Sequence, residues 1–228
     1  MIGAWVGARL VLARLRSRTL FSLGAAGMLS VAIIALLERR TGSPLAVDRT
    51  LAGAALGLAL PLLALAVTRT ITGRQSLVGI AFPLARHGHS RREITLGLWI
   101  TSAGASALIG ATLAALAVLI VRLPADPLLL RDALTSTWIG ALAGATYGSL
   151  FTFGASFGRH GGGAYLLLGL DLALGTGTGL SAAFLPRAHV RNLLGGAPPL
   201  ELPQLASTVL LLASILLLAA WTSRRTPR

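Results

Sequence analysis

Apolar residues fill six long blocks of this chain, near residues 19–37, 51–67, 94–121, 133–157, 163–184 and 204–222, and short polar, arginine-rich stretches separate them. A helix needs about 20 mainly apolar residues to cross a hydrocarbon core of about 30 Å, and the blocks approach or exceed that length. None alternates apolar and polar positions as the strands of a lipid-facing barrel do, and backbone in lipid must satisfy its own hydrogen bonds. The pattern therefore predicts an all-α polytopic membrane protein with six transmembrane helices. The arginines before the first block, and the absence of a small-residue cleavage site after it, predict a retained span rather than a removable leader.

Composition agrees with lipid as the main solvent. The chain has 228 residues, 54% hydrophobic and only 12% charged, too few polar groups to cover a water-soluble domain. A formal charge of +13 in a soluble protein points to nucleic acid, but its distribution gives it another meaning. With the N-terminus inside, thirteen arginines (9, 14, 16, 18, 69, 74, 86, 91, 92, 159, 224, 225, 228) face only Glu93, a balance of +12. The outside segments hold Arg39, Arg40, Arg49, Arg122, Arg131, Arg187 and Arg191 against Glu38, Asp48, Asp126, Asp132 and Glu201, a balance of +2. The positive-inside rule then predicts cytoplasmic N- and C-termini and no nucleic-acid partner. Every basic residue is arginine, and Ala, Gly and Leu abound, a composition that points to a GC-rich bacterial genome and so to a bacterial inner membrane. Cysteine is absent, which excludes disulfides, thiolate metal sites and a cysteine nucleophile.

Residues 1–18 mix Ile2, Trp5, Val6, Leu10, Leu12 and Leu15 with arginines, as a helix lying in the cytoplasmic interface does, or a plain basic flank. Residues 19–228 form the transmembrane domain, with one long inside connection, residues 68–93. Within it Leu77, Val78, Ile80, Ala81, Phe82 and Leu84 form an apolar block between arginines. That block has three possible uses: to dock into a partner, the favoured one, to lie on the membrane, or to cover the ends of its own helices. Ser90 and Glu93 have capping-box spacing at the start of the third span. Gly158 to Gly163 reads as a tight inside turn, and Pro186 to Pro203 as an outside segment with a short interfacial helix over Ala188–Leu194, ended by Gly195-Gly196.

The run Gly73-Arg74-Gln75-Ser76-Leu77, then Phe82-Pro83-Leu84-Ala85-Arg86, then Ser90-Arg91-Arg92-Glu93-Ile94 resembles the cytoplasmic loop of ABC-2 type transporter permeases. The basic N-terminal helix ending Leu15-Arg16-Ser17-Arg18 and the segment Pro186-x-x-His189-x-Arg191-Asn192-Leu193-Leu194-Gly195 before the last span also resemble that family. Two departures stand out: Gln75 replaces the usual acid, and Ala85-Arg86-His87-Gly88-His89 lengthens the gap after Pro83. The resemblance implies a permease subunit of an exporter, forming a homodimer or a heterodimer with a related permease and surrounded by membrane lipids. It also implies a separate ATP-binding-cassette ATPase subunit, which carries the ATP and Mg, coupled through Arg74, Gln75, Phe82, Pro83, Arg86, Arg91, Arg92 and Glu93. No G-x-x-x-x-G-K-[ST] phosphate loop occurs in the chain, so no ATPase chemistry and no bound cofactor are expected of it. Gly175-Thr176-Gly177-Thr178-Gly179 reads as packing.

Three further positions carry candidate roles. Gly140, Gly144 and Gly148 lie one turn apart and form a face for close helix packing, within the chain or at a dimer seam. Asp171 is the one charged residue well inside a predicted span, where it costs about 2.5–3.5 kcal/mol. Its role is either a proton or cation site, making the chain a stand-alone secondary carrier, or a tie to Thr176, Thr146 or Tyr147. Gly154-Ala155-Ser156-Phe157-Gly158 matches G-x-S-x-G, yet no base stands within reach of Ser156 by this topology. His87 and His89 are two residues apart with no carboxylate or thiolate partner, so no metal is expected.

Overall fold

A computed structural model describes residues 2–73, 75–86, 88–123, 126–158 and 160–224. They are all-helical, without a strand. In order come α1 (Ile2–Leu15), α2 (Arg18–Arg40), α3 (Ala46–Arg49), a π-helix (Thr50–Ala59), α4 (Leu60–Thr72), α5 (Leu77–Ala85), α6 (Arg91–Val121) and α7 (Leu129–Gly154). Then follow α8 (Gly163–Leu174), α9 (Leu180–Ala183), α10 (Pro186–Leu193), a 3₁₀ turn (Pro199–Glu201) and α11 (Gln204–Arg224).

Among the described residues four helical runs are long and apolar enough to cross a membrane: α2, the run that begins at Ala46, α6 and α11. This is compatible with a multi-pass membrane protein. The other two predicted spans differ from them for separate reasons. With 26 residues α7 is long enough, but Gly, Ser and Thr dilute its hydropathy. It sits at the centre of the bundle, buried on most of its surface from Ile139 to Gly154, so protein rather than lipid surrounds it. The block read as one span over 163–184 is broken: α8 stops after 12 residues, about 18 Å at 1.5 Å per residue. The chain turns through 175–179, and α9 and α10 fill the rest of its path.

The closest helix contact is between α6 and α7, and small residues make it. A Cβ added at Gly140 would stand 2.3 Å from the Gly110 carbonyl oxygen, and one at Gly144 would stand 2.1 Å from that of Ser106. One at Gly148 would meet the Ala103 Cα at 2.9 Å. The three glycines thus let the two backbones touch within a single chain. Where that leaves room, polar side chains pair across the seam, the Thr152 hydroxyl donating to Ser102 Oγ at 3.0 Å. Around this pair Leu51, Leu56, Leu60, Leu113, Phe151 and Leu211 form the main core.

At one end of the bundle α1 lies across the start of α6. Gly3, Gly7 and Val11 are buried, and a Cβ at Gly7 or Gly97 would stand 2.4 or 2.1 Å from the carbonyl oxygen of Ile94 or Ala4. Ile2, Trp5 and Leu12 stay exposed. Ser17 then caps α2, its side chain accepting the Leu20 amide at 3.1 Å. The expected capping box at Ser90 does not form. Ser90 makes no side-chain cap bond, and the Glu93 carboxylate instead accepts the amide of Gly3 at 3.0 Å, because α1 occupies the space over the first turn of α6.

Candidate functional site

Two places gather the residues that the sequence singles out. The first is α5 and its flanks, beside the start of α6. Gly73, with φ +61, ends α4, the chain bends at Gln75, and the Ser76 side chain caps α5 by accepting the Gly79 amide at 3.3 Å. One face of α5 is committed: Leu77, Ile80 and Ala81 are buried with Val11, Val67, Ile71, Ile94, Leu98 and Ala155. Half of the apolar block, Leu77, Ile80 and Ala81, therefore covers the ends of its own helices, one of the three uses the sequence offers, while Val78, Phe82 and Leu84 are not buried. Packing on a ready apolar surface within the same chain needs no second molecule, and the short link from α4 holds α5 over that surface.

The opposite face of α5 is different. Phe82 is 40% exposed, and the guanidinium groups of Arg86 and Arg91 each lie 4.9 Å from its ring centroid. Such cation–π contacts hold two positive charges beside an exposed aromatic ring. Phe82, Arg86, His89 and Arg91 line a cleft of about 670 Å³. Pro83, Arg86 and Arg92 are exposed, as is Gln75 at the other end of α5, whereas Glu93 is turned toward α1. Arg74 and His87 lie outside the described residues, as does Arg159. Among the described residues no group of three His, Cys, Asp or Glu side chains that could hold a metal ion occurs.

Contacts that sequence reasoning missed fix this segment to the α7–α8 turn. The Leu77 amide donates to the Ala155 carbonyl at 3.2 Å. Arg69 donates to the His160 carbonyl at 2.8 Å and lies 5.0 Å from the Tyr165 ring centroid, and Arg14 donates to the Ile71 carbonyl. The Ser156 hydroxyl donates to the Phe153 carbonyl at 2.6 Å, an ordinary helix-end contact for the serine of the G-x-S-x-G match.

The second place is Asp171, fully buried and eight residues into α8, about 12 Å from its start. The Tyr147 hydroxyl donates to Asp171 Oδ2 at 2.8 Å, and the backbone amide of Arg187 donates to Oδ1 at 3.2 Å. Tyr147 was one of three partners the sequence offered; Thr146 instead donates to its own helix at Leu142, and Thr176 lends its carbonyl to Arg191. The Arg187 contact adds to the expectation for residues 186–203: the start of α10 packs back onto the bundle, beside Asp171 and against the π-helix. A Cβ at Gly175 would come within 2.8 Å of the Arg187 Cβ, so the Gly-Thr-Gly-Thr-Gly run is the turn that lets the chain reverse, not packing inside one continuous helix.

A polar network holds the rest of this arm. His189 Nδ1 lies 3.0 Å from Ser207 Oγ and its Nε2 lies 2.7 Å from the Ala183 carbonyl. Asn192 donates to the Leu202 carbonyl and to Ser207 Oγ, both at 2.9 Å, and the Leu200 amide donates to the Thr178 carbonyl at 2.8 Å. Several of the backbone groups freed by breaking the helix thus find partners inside the protein, as irregular backbone within a bilayer would need. The available signals were the glycines at 175–179 and Pro186, which suits the first position of a helix.

No family model matches the chain, and no curated protein matches it.

Proposed function

We propose that this chain is the permease subunit of an ATP-driven exporter of the ABC-2 type, a dimer in a bacterial inner membrane coupled to a separate ATPase subunit. In this reading α2, the α3–π–α4 run, α6, α7, α8 with its returning arm, and α11 make six crossings, and both termini face the cytoplasm, where the arginines collect. The observation that carries it is the division of α5 into two faces. Leu77, Ile80 and Ala81 anchor it to the bundle, while Phe82, flanked by Arg86 and Arg91, is held outward. A rigidly seated helix with an exposed aromatic and two cations suits the docking of an acidic groove on a partner. Motion imposed there would reach α4 through the Gly73 link and α7–α8 through the bonds to Ala155 and His160, turning ATP-driven closure into rotation of the crossings.

The test is affinity purification of the tagged protein from its native membrane, with identification of co-purifying proteins and an ATPase assay of the complex. The expected result is a stoichiometric ATP-binding-cassette subunit that is lost when Arg91 and Arg92 are both changed to Glu. Purification alone, without ATPase activity and after crosslinking in cells, overturns the reading. A carrier driven through Asp171 would instead fail on Asp171→Asn and ignore ATP. The bonds from Tyr147 and the Arg187 amide support a tie rather than a coupling site.

A further inference from the structure

Where α1 passes into α2, a cleft of about 340 Å³ opens against the end of α4, lined by Arg14, Ser17, Thr70, Thr72, Gly73 and Gln75. No carboxylate lines it, so the positive charge of Arg14 is not balanced within the cleft. The Arg14 guanidinium is held in place by donating through Nη1 to the Ile71 carbonyl, which leaves the rest of its planar fork unengaged among the described residues. Ser17 Oγ accepts the Leu20 amide, and its hydroxyl hydrogen is still available to donate. Thr72 is only 2% exposed, yet its hydroxyl is buried with no hydrogen-bond partner among the described residues. Thr68, one turn earlier, donates to the Ala64 carbonyl of its own helix at 3.0 Å; Thr72 makes no such bond. A buried hydroxyl left unbonded is costly, and beside a fixed guanidinium it is a donor suited to an oxyanion.

We propose that this cleft binds the phosphate group of an anionic lipid, gripped by the Arg14 guanidinium and the hydroxyls of Ser17 and Thr72. A guanidinium fork matches phosphate in geometry as well as charge, and the same charge turns a metal cation away. The helix that carries Arg14 points to a lipid as the source of the phosphate. Its outer face exposes Ile2, Trp5 and Leu12, and the Arg9 guanidinium lies 5.0 Å from the Trp5 ring centroid. Apolar and aromatic side chains mixed with cations suit the boundary between head groups and acyl chains, so a phosphate held at the last turn of that helix sits at head-group depth. Bound there, it ties the α1–α2 corner to the end of α4, next to the Gly73 link to α5. The site lies within one chain and needs no ATPase partner, so it stands or falls independently of the exporter reading.

Binding of radiolabelled dioctanoyl phosphatidic acid to the purified full-length protein in a neutral maltoside detergent tests it. Saturable binding is expected, weakened about tenfold or more in Arg14→Gln, which loses charge-assisted hydrogen bonds, and about fivefold in Thr72→Val, which loses one neutral bond. Arg16→Gln, at an exposed position outside the cleft, is expected to bind as the unaltered protein does. Thr72→Val removes a hydroxyl that bonds nothing else in the described protein, so it carries the test if Arg14→Gln does not fold. Binding by Thr72→Val equal to that of the unaltered protein overturns the site. A loss in Arg16→Gln as large as that in Arg14→Gln also overturns it, in favour of diffuse surface charge. Displacement by inorganic phosphate at matching concentration overturns the lipid in favour of a free oxyanion, and equal binding of dioctanoylglycerol overturns the phosphate contact.

Discussion

The α6–α7 seam and the α8–α10 arm solve the same problem in opposite ways. Between α6 and α7 both helices run unbroken for 31 and 26 residues, so interior backbone groups bond within their own helices, and closeness comes from glycines that let carbonyl oxygens approach the facing backbone. In the arm the helix breaks after Leu174, and the freed groups are taken up by Arg191, Asp171, His189 and Asn192. The seam is held by shape and tolerates no added volume. The arm is held by polar bonds, several of which hang on single side chains. One builds a fixed frame; the other turns the chain back so that the start of α10 lies beside Asp171.

The largest way to break the contrast is to add volume to the seam. Gly144→Leu would drive a side chain into the Ser106 carbonyl and is expected to cost about 3 kcal/mol, the upper part of the overpacking range, read as a lower unfolding midpoint in detergent. The corresponding insult to the arm is Asp171→Ala. It leaves the Tyr147 hydroxyl and the Arg187 amide without acceptors and is expected to cost about 1–3 kcal/mol, with faster amide exchange at Arg187 as the local sign. A milder change, Tyr147→Phe, removes one bond to Asp171 and should cost about 0.6 kcal/mol, the average for hydrogen bonds between membrane helices. If it costs as much as Asp171→Ala, the arm is a single cooperative unit rather than a set of separate bonds.

The smallest effect sharpens the comparison from outside both regions. In the α6–α7 connection Arg122 bonds Asp126 at 2.8 Å and Asp132 at 2.5 Å. The Leu128 amide, and then Arg122, hold the Asp126 carboxyl below its usual range. A lowered carboxyl pKa adds stability that is complete above the unfolded value of about 4 and is lost as pH falls through the folded one. Amide exchange at Leu128, corrected for the intrinsic rate, should therefore rise on acidification below that range, while exchange in the seam stays unchanged.

Much of this was legible in the chain itself. Apolar block length gave the helices of the bundle, the Gly158–Gly163 cluster the turn before α8, and the four-residue spacing of Gly140, Gly144 and Gly148 a packing face. The lone acid in an apolar block marked Asp171, with Tyr147 among its possible partners. Other features were hidden because they depend on what stands opposite. Ser90 and Glu93 have the spacing of a cap, yet the amide of Gly3, ninety residues away in sequence, takes the carboxylate. Leu77, Ile80 and Ala81 read as a surface for a partner until α1, α4 and α6 are seen to cover them.

The sequence by itself determined that the chain is helical and rich in helices suited to lipid, where its charges gather, and which residues are too small or too polar to be there by chance. That follows from local physics, since helix formation and the preference for lipid are summed residue by residue along a block. Only the tertiary structure decided that the fifth block breaks, that α10 turns back toward Asp171, and that α5 keeps one face for its own helices. A break within an apolar block is stable only if its freed amides and carbonyls find partners, and those partners, from Arg191 to Leu200, come from the segment the break itself brings back.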